Sequence, residues 1–129
     1  MTEPSHREAY AELAVLDATV VAELRQLDSG NPGVLPGLIA RFIAREELFL
    51  ADPKLRPDAL DLGFLRANAH RIKGSASAFG ARGLAECAAR LERAAGHGDV
   101  AETKVLIDHL RAQFAQAVLR LVDVYGVKP

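Results

Sequence analysis

The chain has 129 residues, half of them hydrophobic and few aromatic, a length that suits one domain able to bury about two-thirds of its unfolded surface. Sixteen Lys and Arg stand against seventeen Asp and Glu, a formal charge of −1. No global field therefore draws the protein to nucleic acid or anionic lipid, and any electrostatic recognition must be local.

From the N-terminus, Met-Thr-Glu-Pro-Ser-His lacks the basic and apolar regions of a signal peptide. No apolar run nears the ~20 residues that span a bilayer. A cytoplasmic address with no membrane partner is the expectation. Hydrophobic periodicity stays near 3.6 residues almost throughout, so the fold is predicted to be all-α. Residues 1–16 read as an extension holding a short helix over 5–15, with Tyr10, Leu13 and Ala14 inward; residues 17–129 read as the domain proper. A second helix starts at an Asp17 cap and buries Val20, Val21, Leu24 and Leu27. It stops at Ser29-Gly30-Asn31-Pro32-Gly33, where glycine and proline oppose helix continuation.

A third helix is predicted over 34–51. Leu35, Leu38, Ile39, Phe42, Ile43 and Phe49 form its buried face, and Arg41, Arg45 and Glu46 its solvated one. Asp52-Pro53 and Arg56-Pro57 frame the next break. A fourth helix begins at Asp58 or Asp61, both suitable caps, and ends by Gly80. A fifth covers 81–95, with Leu84, Cys87, Ala88, Leu91 and Ala95 as a seam suited to close helix approach. After Gly96-His97-Gly98-Asp99, Asp99 can cap a last helix whose Thr103, Leu106, Ile107, Leu110, Phe114, Val118, Leu121 and Tyr125 recur at threes and fours. Four long amphipathic helices with short connections predict an antiparallel up-down-up-down four-helix bundle with one or two short additional N-terminal helices.

Within the fourth helix, at about 100° per residue, Leu65, Ala69, Ile72, Ala76 and Phe79 gather on one side and His70 points the opposite way. Arg66 and Lys73 bring positive charge from one turn either side, while Gly63, Ala67, Gly74 and Ser77 keep the surrounding surface low. A solvated imidazole is substantially neutral at pH 7 and keeps an unprotonated nitrogen able to attack an electrophile. Phosphoryl transfer fits this setting, because Lys73 and Arg66 can offset charge on the transferred oxygens and Ser77 can donate a hydrogen bond. Gly74 then matters as clearance for a bulky partner. A mid-helix glycine costs about 1 kcal/mol relative to alanine, which a purely structural helix has no reason to carry.

These residues resemble the histidine-containing phosphotransfer (HPt) domains of two-component phosphorelays. His70-Arg71-Ile72-Lys73-Gly74-Ser75 looks like the family's H-x-x-K-G-S signature, and Ala76-Ser77-Ala78-Phe79-Gly80-Ala81 like its helix end and turn. Leu84, Cys87, Leu91 and Glu92 fit the helix that follows. The resemblance covers roughly residues 17–125, with its distinctive motifs in 65–98. It implies a four-helix bundle whose His70 accepts a phosphoryl group from a receiver-domain aspartate and returns it to another, with Lys73 as electrostatic helper and Gly74 as the clearance residue. Its implied partners are response-regulator receiver domains and a hybrid histidine kinase receiver. No cofactor of its own is implied, since Mg²⁺ belongs on the receiver, and a monomer suits a carrier that meets several partners.

Plainer readings bound the other candidates. Cys87 lies on an apolar seam and reads as a small core residue; being the sole cysteine, it excludes an internal disulfide and argues against thiolate-rich metal sites. His97 reads as a solvated turn residue, His109 as surface or boundary, and His6 as part of a frayed end. None has the spacing to carboxylates that a metal site needs. Arg41 and Arg45 read as solvated charge, and Ser75 as a partner for a helix carbonyl. A histidine-kinase dimerisation domain also exposes a helical histidine, but here Arg71 follows it in place of an acidic base, and no Gly-rich nucleotide segment exists. A phosphocarrier without autokinase elements is therefore expected. A scaffold bundle that binds receivers without accepting phosphate is the remaining alternative.

Overall fold

The computed structural model describes residues 15–127, and these are helical with no strand among them. The expected helix over 5–15 lies, apart from Val15, outside the described residues. Five α-helices follow: α1 (Ala18–Ser29), α2 (Val34–Leu50), α3 (Leu62–Ala78), α4 (Arg82–Gly96) and α5 (Val100–Tyr125), with a 3₁₀ turn at Pro53–Leu55.

Short acidic side chains start most of these elements. Asp17 accepts from Thr19 N at 2.9 Å, Asp52 from Lys54 N at 2.9 Å, Asp61 from Phe64 N at 3.0 Å and Asp99 from Glu102 N at 3.0 Å, satisfying amides that the first helical turn leaves without partners. Asp61, not Asp58, caps α3. The α3–α4 turn needs Gly80, whose φ of 78° is disfavoured for side chains. A Cβ there would lie 3.2 Å from Val20, and the Gly80 carbonyl accepts from Asp17 N at 2.6 Å. One glycine thus bends the chain into α4 and seats the start of α1.

The core lies along α2, α3, α4 and α5. Leu65, Ala69, Ile72 and Ala76 of α3 are buried, as are Leu84, Cys87, Ala88, Leu91 and Ala95 of α4, the anticipated seam. Alanines at so many contact positions let α3 and α4 approach closely, and this pair packs the most extensively. Along α5 every anticipated position is buried except Val118, which is half-buried, and Ala117 joins them. Phe79 is half-buried, its ring 5.4 Å from Phe42. Phe49 meets Phe64 at 5.8 Å, and Lys54 caps that ring's face at 4.4 Å.

Three expectations fail. No residue of α1 is fully buried, and Leu27, expected inward, is 73% exposed. Leu38 is also exposed, because the buried stripe of α2 follows Leu35, Ile39, Phe42, Glu46 and Phe49 and Leu38 stands at its edge. Glu46, expected in solvent, is 1% exposed. It sits on that stripe and meets Arg71 of α3 through two hydrogen bonds, one of them Arg71 Nη2 to Oε1 at 2.8 Å; the same nitrogen donates to Asn68 at 2.9 Å. A buried carboxylate persists because a guanidinium matches its fork geometry.

Candidate functional site

Helix α3 carries His70 on the face opposite its buried stripe, and the imidazole is 68% exposed. The three-residue turn after Ala78 returns the chain so closely that Glu92 of α4 comes alongside. Its carboxylate bridges two α3 side chains: His70 Nδ1 lies 2.9 Å from Oε2, and Lys73 Nζ donates to Oε1 at 2.9 Å. The lysine hydrogen bond, more than any other cause, holds the Glu92 carboxyl below the usual glutamate range. The hydrogen bond and charge of His70 add to this, against partial burial.

This arrangement fixes the tautomer. An ionised carboxylate only accepts hydrogen bonds, so Nδ1 must carry the proton and the neutral ring keeps its lone pair on Nε2. Small residues share the solvent-facing side of α3 with His70. Ala67, Gly74 and Ser77 are exposed, and a Cβ placed on Gly74 would find nothing within 4 Å. The Gly74 gap is therefore not demanded by the domain's own packing.

Arg66 is also exposed but is drawn to one side. Its guanidinium stem lies over Gly96 at the end of α4, with Nε 3.4 Å from where a Cβ would stand. It lines an open groove of about 400 Å³ with Lys73, Ala89, Glu92, Arg93, Gly96 and His97. His97 is solvated as expected, and His109 is exposed. Cys87 is buried, and burial pushes its thiol up, away from nucleophilic behaviour. Arg41 and Arg45 are exposed and Ser75 is half-buried. Among the described residues no group of three or more His, Cys, Asp or Glu can hold a metal ion, and no helix is long and apolar enough to cross a membrane. His6 lies outside the described residues.

The sequence missed the role of Glu92. It entered the reading only as a fit to the α4 pattern, yet it is the residue that joins His70 to Lys73. The available signal was its place next to the inward Leu91, which sets it on the flank of α4 that borders α3.

No match is found among curated proteins or among solved structures. The family model for the Hpt domain matches residues 37–119, a span that holds His70, Lys73, Gly74 and Glu92 together. The chain belongs to the Hpt domain family.

Proposed function

We propose that this Hpt domain shuttles a phosphoryl group between receiver-domain aspartates through a phosphohistidine at His70. The single observation carrying this reading is the Glu92 bridge, which occupies the Nδ1 side of an exposed imidazole and so directs the lone pair of its neutral form to Nε2. The Nε2 lone pair attacks phosphorus, the bond to the aspartyl oxygen breaks, and its electron pair returns to the receiver carboxylate. No proton need leave: Nδ1 keeps its hydrogen on Glu92, and the ring's new positive charge faces that carboxylate. Lys73 sits one turn away to offset phosphoryl charge, with Arg66 and Ser77 as further contacts and Ala67 and Gly74 as clearance.

The partners proposed are response-regulator receivers and a hybrid histidine kinase receiver. Mg²⁺ would sit on the receiver, and the domain would need no cofactor, nucleic acid or membrane. A cytoplasmic monomer that is a carrier and not an autokinase suits that traffic. The finer fold reading is an up-down-up-down bundle of α2 to α5 within a domain of residues 17–129. It is supported by the order of contacts: Phe49 with Phe64, Glu46 with Arg71, Phe42 with Phe79. Residue numbers fall along α2 as they rise along α3.

The test is incubation with labelled ATP alone, then with a phosphorylated receiver domain. Label should appear only in the second case, and His70→Gln should abolish it. Label from ATP alone would make the protein a kinase fragment. Receiver binding without label would leave the scaffold reading.

A further inference from the structure

Beside His70, the groove between α3 and the end of α4 has an unbalanced charge. Its one acidic lining residue is Glu92, and both oxygens of that carboxylate are engaged by His70 and Lys73. Arg66 and Arg93 line the same groove with no carboxylate partner among the described residues. A chain of net charge −1 has thus set two uncompensated guanidiniums against the residues that hold His70. Gly96 contributes by absence: with no side chain there, Arg66 lies flat on the α4 terminus and its charge stays on the groove wall.

We propose that this groove is a docking cleft for acidic side chains on the receiver domain, with Arg93 as a specificity-determining residue. The inference rests on the phosphocarrier reading above. A receiver that brings an aspartyl phosphate to His70 must also cover this groove, because Lys73 and Glu92 form part of its wall. A volume of about 400 Å³ admits a few side chains and not a secondary-structure element. Carboxylates entering it would meet a forked, weakly hydrated cation suited to bidentate contact. Arg93 stands on α4, away from the reacting nitrogen, so its contribution belongs to encounter and docking, not to the transfer step.

Transfer kinetics from a phosphorylated receiver domain, compared with labelling by the small donor phosphoramidate, test this. Arg93→Glu should raise the KM for the receiver about tenfold, leave kcat within about twofold, and lose most of its effect in about 0.5 M salt. Phosphoramidate labelling of His70 should be unchanged, and Arg93→Lys should restore most of the receiver KM. An unchanged receiver KM would overturn the proposal and make Arg93 a cation that merely complements the α4 terminus. An equal loss with both donors would also overturn it. Failure of the phosphocarrier reading looks different: wild-type protein would take label from neither donor.

Discussion

His70 and Arg71 are adjacent on α3, and each is held by a glutamate from a different helix, yet the two pairs live in opposite surroundings. On the α4 side, Glu92 is 22% exposed and holds the 68% exposed His70 together with Lys73. On the α2 side, Glu46 is 1% exposed and grips Arg71 through two hydrogen bonds, with Asn68 completing the set. Both use charge-assisted hydrogen bonds, but water decides what the bonds are for. The solvated pair contributes little to stability and can be spent on orienting an imidazole. The buried pair fixes how α2 lies against α3 and would be costly to break.

Removing one partner from each pair should separate the two roles. Arg71→Met strands the Glu46 carboxylate away from water and should lower unfolding free energy by about 3 kcal/mol, the low end for a buried pair because Arg71 itself reaches solvent. Lys73→Ala should cost under about 1 kcal/mol while slowing phosphotransfer. Urea denaturation reads both. If the two variants unfold at similar urea concentrations, the contrast between the faces is wrong. Combining Arg71→Met with Glu46→Leu should regain most of the lost stability, since the unpaired charge is then gone.

Gly74 sharpens the comparison, because here stability and function should move in opposite directions. An added methyl meets nothing within 4 Å, and alanine is the better helix former. Gly74→Ala should therefore stabilise the domain by about 0.5–1 kcal/mol. The same methyl stands one turn from His70 on the approach side and should reduce transfer from a receiver about tenfold, a cost of roughly 1.4 kcal/mol in the docked state. A thermal melt and a transfer assay on one preparation check both halves. Greater stability with undiminished transfer would remove the clearance role.

How far the sequence revealed this follows from what each residue answers to. Helix starts at Asp17 and Asp99, and at Asp61 as one of two candidates, were legible because a cap is a local event, one side chain bonding amides two or three residues on. His70 was legible because an imidazole opposite an apolar stripe must face outward when the stripe faces in. Glu46 was not, since polarity was allowed to outweigh phase: it stands four residues after Phe42 and three before Phe49, on the buried register of α2. Its partner lies on another helix, beyond what periodicity reports. Leu27 and Leu38 erred in the opposite sense, as apolar residues at the edge of a stripe that the neighbouring elements leave uncovered. Glu92 needed tertiary structure outright, because its meaning arises only when the Gly80 turn folds α4 back along α3.

The smallest expected effect tests the open pair most directly. Lys73 above all, with His70, holds the Glu92 carboxyl below its usual range, so folding favours the ionised form. A carboxylate of lowered pKa contributes stability that is fully present above the unfolded-state value and is lost as pH falls through the folded one. The stability difference between wild type and Glu92→Gln should therefore be present at neutral pH and shrink at an acid pH where the carboxyl takes up its proton. Its size should stay under about 1 kcal/mol, because Lys73 and His70 both reach solvent. Urea midpoints for the two proteins at the two pH values give the answer. Glu92→Gln should also retain partial phosphotransfer, since an amide oxygen can still accept from Nδ1–H, whereas Glu92→Ala, which offers no acceptor, should transfer more slowly. A difference between wild type and Glu92→Gln that ignores pH would mean that Glu92 is not held as an anion, and nothing would then fix the free lone pair on Nε2.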